Sequence, residues 1–101
     1  MPAHLQESEI RSALTHLEGW RLDGNAIERL YHFDNFVKAM MFVNRVAAAA
    51  EEAGHHPDII IAYNRVTLRL TTHDAGGITS NDVKMAETLN NLKGLKELLR
   101  N

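Results

Sequence analysis

The sequence predicts an α+β domain: one four-stranded antiparallel sheet with three helices on one face, in the order α-β-β-α-β-β-α. Three observations carry this reading. Two β-rich stretches, each broken by a turn cluster, read as hairpins. A long helical pattern separates them, and shorter helical patterns open and close the chain. The 101 residues suit a single domain spanning 1–101 and are too few for two ordinary ones. Hairpins interrupted by a helix favour an antiparallel sheet with its helices segregated to one side.

The first helix is expected over Ser8–Glu18, where Ile10, Leu14 and Leu17 recur at helical spacing and Gly19 suits the left-handed position beyond the last turn. Trp20–Leu22 reads as a short strand. Asp23-Gly24-Asn25 is a turn cluster, and Ala26–Phe33 follows as the second strand. On it Ile27, Tyr31 and Phe33 share one parity, with Arg29 as the exception. Asp34 or Asn35 caps a helix over Phe36–Ala53, whose stripe runs Phe36, Met40, Val43, Ala47, Ala50 and is widened by Met41, Phe42 and Val46. Gly54 ends it and Pro57 prevents its resumption. Asp58–Tyr63 and Val66–Thr72 read as strands joined by a turn at Asn64-Arg65, with His73 on the polar parity of the second. Thr79-Ser80-Asn81-Asp82 has the form of a capping box. The last helix carries Val83, Ala86, Leu89 and Leu92 and reaches Leu99, with Gly94 its weak point.

Composition narrows the function classes. The chain is 45% hydrophobic and 24% charged, enough apolar residues to offset chain entropy. A formal charge of -2 gives no basic footprint for nucleic acid. No cysteine is present, which removes thiolate nucleophiles and thiolate metal sites. No apolar run approaches the ~20 residues of a spanning helix, and Met1-Pro2-Ala3-His4 does not open like a signal peptide. A cytoplasmic protein without membrane partners is expected.

The chemistry concentrates at Glu51-Glu52-Ala53-Gly54-His55-His56-Pro57. Two adjacent histidines sit just past a helix end, where imidazole suits acid/base work near neutral pH. His73 ends the next patterned segment and Asp82 follows nine residues later. Glu51 lies about one helical turn before His55, so their side chains are expected to meet. A residue before proline is extended, so His56 should diverge from His55 and serve a different role. The bland alternatives are a solvated turn for the histidine pair, a surface charge for Glu51 and the N3 position of a capping box for Asp82. Trp20 reads as a core or pocket-edge aromatic, and His4, His16 and His32 as surface residues. Adjacent histidines rarely converge on one ion and no His-x-x-x-His occurs, so no metal site is expected.

The spacing Glu51-x3-His55-His56-Pro57-x5-Tyr63-x9-His73-x8-Asp82 resembles the motif of the pterin-4a-carbinolamine dehydratases. Gly19-Trp20, Arg29-Leu30-Tyr31-His32-Phe33 and the run from Thr72-His73 to Gly77-Ile78-Thr79 resemble that family's other recurring segments, so the likeness covers roughly residues 5 to 92. It implies a hydro-lyase that converts 4a-hydroxytetrahydrobiopterin to quinonoid dihydrobiopterin and water, without cofactor or metal. His55 and His73 would form the acid/base pair, with His56 holding the pterin. Glu51 and Asp82 would support the histidines, and Trp20, Thr72 and Pro57 would border the substrate. A homodimer or homotetramer and a functional link to an aromatic amino acid hydroxylase are implied as well. Gly54 stands where animal members often carry an acidic residue, which aligns the chain with bacterial members. The alternative functions are stabilising the dimer of a transcription factor, or acting on a pterin of molybdenum-cofactor metabolism.

Overall fold

In a computed structural model, which describes residues 3–100, four strands form one antiparallel sheet in the order β1-β2-β4-β3. The elements are α1 (Glu7–Leu14), β1 (Arg21–Asp23), β2 (Ala26–His32), α2 (Phe36–Ala53), β3 (Asp58–Ala62), β4 (Arg65–Leu70), α3 (Ser80–Asn90) and α4 (Leu95–Leu98). A single turn of 3₁₀ helix, His73–Ala75, lies between β4 and α3. The α+β order read from the sequence is the one observed.

One face of the sheet is the core. Ile27, Tyr31 and Phe33 from the β2 segment meet Val66, Leu68 and Leu70 from β4, all at most 1% exposed. The register pairs Ile27 with Leu70 and Tyr31 with Val66, so one parity of both strands points at the helices. From α2, Phe42 packs against Tyr31 and Phe33 with ring centroids 4.4 and 5.1 Å apart. The odd member of this parity, Arg29, lays its guanidinium over the Tyr31 ring at 4.5 Å and donates to Asn90 Oδ1 at 2.6 Å. Gly19, at φ +84°, borders it; a Cβ there would collide with the Arg29 side chain. Burial pushes the Tyr31 hydroxyl up to about 12, with the Arg29 cation pulling it partly back.

The opposite face is open. Arg21, Glu28, Arg69 and Asp58 line up across it in register, and both arginines bond to Glu28. The Arg21 hydrogen bond, aided by that of Arg69, holds the Glu28 carboxyl below its usual range despite desolvation. The next row, Leu30-Thr67-Ile60, leaves Leu30 62% and Ile60 52% exposed.

Several boundaries differ from the sequence reading. The first helix stops at Leu14, not Glu18; tight i to i−3 bonds at Thr15, His16 and Leu17 replace its last turn. The first strand is Arg21–Asp23 and excludes Trp20. In α2 the buried positions are Ala39, Phe42, Val46 and Ala50, while Phe36, Met41 and Ala47 are exposed. The inward face is thus rotated from the expected stripe. Phe42 supplies the ring that Tyr31 and Phe33 pack on, and small Ala39 and Ala50 let the helix approach the sheet. The second hairpin turns at Tyr63-Asn64, one residue early, because Asn64 is tied to β2: its carbonyl accepts from Phe33 N at 2.8 Å and its Nδ2 donates to Phe33 O at 2.9 Å. Tyr63 adopts φ 56°, a left-handed conformation that propensity alone would not select for it. The last helix breaks after Asn90, and Gly94 at φ 80° starts the short α4.

Candidate active site

Three segments build the site, and each is placed by ordinary helix and turn chemistry. Helix α2 ends on Gly54 in the left-handed region at φ 66°, and both Gly54 N and His55 N return to Ala50 O. That reversal puts His55 and His56 at the head of β3, with Pro57 buried behind them. Beyond β4, Thr72 and Gly77 exchange backbone hydrogen bonds and close a short loop. The 3₁₀ turn His73–Ala75 sits inside that loop and Gly76 ends it at φ 75°. Thr79 caps α3, its hydroxyl accepting from Asn81 N at 3.2 Å.

These segments meet around a cavity of about 330 Å³ lined by residues 54–56 and 71–74. His55, His56 and His73, the three histidines singled out in the sequence, therefore share one concavity. His73 is not the last residue of a strand, as its alternation suggested. Strand β4 stops at Leu70, since Thr71 turns its hydroxyl to Asn25 O at 2.7 Å and Thr72 pairs with Gly77.

Asp82 lies behind His55 with its side chain fully buried, while that of His55 is 20% exposed. Its Oδ1 lies 2.6 Å from His55 Nε2. Its Oδ2 accepts from Thr79 N at 2.9 Å and from the Thr72 hydroxyl at 2.8 Å. One oxygen thus closes the capping box and the other holds the histidine, so the helix cap and the site are the same carboxylate. A carboxylate accepts and does not donate, so His55 Nε2 carries the hydrogen and Nδ1 is left as the acceptor.

Glu51 pairs with His56, not with His55 as its spacing suggested. The left-handed Gly54 redirects the chain, so the helical i to i+4 relation no longer holds beyond it. This second pair is open to water, with side chains 59% and 77% exposed for His56 and Glu51. His73 is exposed, and its ring makes no hydrogen bond among the described residues. No three of His, Cys, Asp and Glu gather as a metal would require among the described residues.

Of the three further residues expected to border the substrate, Thr72 lines the cavity and Trp20 and Pro57 do not. Trp20 is buried and donates Nε1 to Asn90 Oδ1 at 2.9 Å, at the far end of α3 from its cap. It does not line the cavity. Thr72 lines it, but its hydroxyl is spent on Asp82 and on Thr79 Oγ1 at 2.9 Å. Sequence reasoning missed Thr79, which is wholly buried and holds both Asp82 and Thr72, although the capping-box pattern contained it. It also missed Thr71 and Asp74, which line the cavity.

A family model described as pterin 4 alpha carbinolamine dehydratase matches residues 3–92. A Koribacter versatilis protein, provisionally assigned as a pterin-4-alpha-carbinolamine dehydratase, is 56% identical over 92 residues, covering 91% of this chain and 98% of its own. A protein of the same provisional assignment from Thermomicrobium roseum is 56% identical over 87 residues, 86% of this chain and 94% of its own. Among solved structures, a transcriptional coactivator/pterin dehydratase from Brucella melitensis superposes with a TM-score of 0.80 at 44% identity, covering 86% of this chain and 95% of that one. A pterin dehydratase-like protein identified as a RuBisCO assembly factor in the alpha-carboxysome superposes at 0.64 with 24% identity, a likeness of fold alone.

Proposed function

The chain belongs to the pterin 4 alpha carbinolamine dehydratase family, and from that premise we propose that it dehydrates 4a-hydroxytetrahydrobiopterin to quinonoid dihydrobiopterin and water. The observation that carries the reading is the meeting of His55, His56 and His73 at one cavity, with buried Asp82 behind His55. Dehydration breaks the C4a–O bond: the leaving oxygen gains a proton, the neighbouring ring nitrogen loses one, and a C=N bond forms. No electrons change hands, so one acid and one base balance the step.

In this reading His55 takes the ring proton at Nδ1, its Nε2–H held by Asp82, which stabilises the imidazolium that forms. His73, whose ring has no hydrogen-bond partner among the described residues, delivers the proton to the leaving hydroxyl. His56 holds the pterin with Glu51 steadying its charge. The Thr72 backbone forms a wall, Pro57 backs the two histidines from beneath, and the indole's bond to Asn90 keeps Trp20 away from the cavity.

The reading places the enzyme in the cytoplasm, recycling the tetrahydropterin used by an aromatic amino acid hydroxylase. It also makes the protein a homodimer or homotetramer, a view supported by exposed Leu30, Phe36, Val37, Met41, Ile60 and Tyr63. No helix among the described residues is long and apolar enough to cross a membrane. The test is direct. Purified protein, given 4a-hydroxytetrahydrobiopterin as it forms, should speed the appearance of the quinonoid dihydropterin well above the buffer rate. A rate equal to that of buffer would overturn the proposal.

A further inference from the structure

Two arginines among the described residues are half-buried, Arg69 and Arg29, and their charges are met differently. Arg69 pairs with the carboxylates of Asp23 and Glu28, each at 2.6 Å. Arg29 has no carboxylate within the 4.0 Å of an ion pair among the described residues. Its guanidinium lies 4.5 Å from the centre of the Tyr31 ring and gives one N–H to Asn90 Oδ1 at 2.6 Å. Tyr31 supplies only its ring, since its buried hydroxyl has no hydrogen-bond partner among the described residues. A π face and a neutral amide leave the cation without a counter-ion and most of its five N–H groups without an acceptor. A partly desolvated charge in that condition is costly unless a partner arrives.

The same side chain lines a second cavity, of about 220 Å³, bounded by residues 16–18, the end of α3 and α4. It shares no lining residue with the histidine cavity. It takes Glu87 and Asn90 from the C-terminal end of α3, whereas Asp82 belongs to the first turn of that helix. The guanidinium is held in place there. Asn90 Oδ1 also accepts from Trp20 Nε1 at 2.9 Å, and Asn90 Nδ2 donates to Glu18 O at 3.2 Å. Gly19 leaves room for the side chain, since a Cβ there would lie 2.4 Å from Arg29 Nε. A cation fixed by its surroundings binds an anion with little further loss of side-chain freedom.

The rest of the lining narrows the ligand class. Leu17, Leu95 and Leu99 give the cavity an apolar wall, and Lys96 adds a second cation. Glu18 and Glu87 line it as well, and their charges oppose an anion of more than one charge, such as phosphate. One carboxylate matches one guanidinium through two parallel N–H···O bonds, stronger than neutral ones because both partners are ionised. The volume is that of roughly seven water molecules at about 30 Å³ each, enough for a short branched acid. We infer that this cavity binds a small monocarboxylate with an apolar body, its carboxylate on Arg29 and its chain against the leucines. The site needs none of the dehydratase chemistry and stands or falls apart from it.

The protein carries its own reporter, because Trp20 is its single tryptophan and shares the Asn90 acceptor with Arg29. Titrating the full chain with 4-methylpentanoate should change the Trp20 fluorescence saturably, with a Kd of roughly 1 mM. The uncharged isostere 4-methylpentanamide should bind about tenfold more weakly or worse, and inorganic phosphate should also bind more weakly than the acid. R29Q should lose about tenfold or more of its affinity for the acid and bind acid and amide alike. Arg29 also covers Tyr31, so circular dichroism and Tm check that R29Q is folded. Where it is not, K96E decides, Lys96 being exposed and its side chain unbonded among the described residues. There the acid should bind about threefold more weakly or worse, with the amide unchanged. A wild type that shows no saturable binding of the acid, binds acid and amide equally, or prefers phosphate would overturn the proposal. Unchanged affinity for the acid in folded R29Q, or in K96E, would do the same.

Discussion

Two histidine–carboxylate pairs stand side by side in this molecule, and they share little beyond their chemistry. In one, His55 meets Asp82, whose carboxylate is wholly buried and accepts from an imidazole, a hydroxyl and a backbone N–H. In the other, His56 meets Glu51, and both side chains are mostly in water. An exposed ion pair gains little, because water and salt screen it and two flexible side chains must be held together. Breaking a buried pair leaves an unpaired group where no water can replace its partner. The buried pair therefore joins the helix cap to His55, the proposed base, whereas the exposed pair only biases where one imidazole rests. Adjacent residues in the chain have been given opposite degrees of constraint.

The largest contrast should come from Asp82. Asp82→Ala strands Thr79 N, the Thr72 hydroxyl and the imidazole together. It should cost about 2–4 kcal/mol of stability, measurable by urea unfolding, from the lost cap and the unpaired buried donors. Asp82→Asn keeps one carbonyl oxygen for the cap but turns an amide N–H toward His55. That forces the other tautomer and takes the lone pair off Nδ1. Tm should stay within a few degrees of wild type while kcat falls ~10²–10⁴-fold. Full activity with a lowered Tm would mean that Asp82 is a cap and nothing more.

Next come the histidines themselves. His55→Ala and His73→Ala should each lower kcat by ~10²-fold or more with partial activity left, since two groups serving one elimination partly substitute for each other. His56→Ala should appear chiefly in KM. If His56→Ala lowered kcat at constant KM while His55→Ala did the reverse, the roles of the two pairs would be exchanged. A smaller effect is expected at Thr72. Thr72→Val removes one of the three donors to Asp82 and preserves the shape, so activity should fall only several-fold, with Thr72→Ser restoring it. A KM increase with unchanged kcat would instead mark the hydroxyl as a substrate contact.

The two pairs also show where the sequence is legible. Helix ends, turn clusters and strand parity located four strands and three of the four helices, α4 having been read as the end of α3, because each is fixed by contacts within a few residues. The His-His-Pro loop and Asp82 were visible for the same reason. What escaped was set by groups distant in sequence. Glu51 sits at helical spacing from His55, yet a left-handed Gly54 stands between them and hands the carboxylate to His56. The inward face of α2 is chosen by Tyr31 and Phe33, not by the helix's own periodicity. Trp20 lies close to a strand in sequence but its indole is claimed by Asn90, seventy residues on. Asp74 carried no local signal, since an acidic residue beside a histidine in a Gly-rich loop suits plain solvent exposure equally well.

The smallest effect expected, and the sharpest test of the contrast, lies at Glu51. Glu51→Gln removes the charge of the exposed pair and keeps the shape and a carbonyl acceptor for His56 Nε2–H. Stability should change by less than about 0.5 kcal/mol, since the pair is solvated at both ends. With kcat unaffected, KM should rise no more than about threefold, and only at low salt. Raising ionic strength to about 1 M shortens the Debye length to about 3 Å and screens the same attraction in wild type, so the two proteins should converge there. No such convergence is expected for Asp82→Asn, because the Asp82 side chain is wholly buried and out of reach of salt. If Glu51→Gln were as damaging as Asp82→Asn and insensitive to salt, then Glu51 would be acting on the reacting proton itself. The exposed pair would then be the catalytic one, with burial no guide to function in this site.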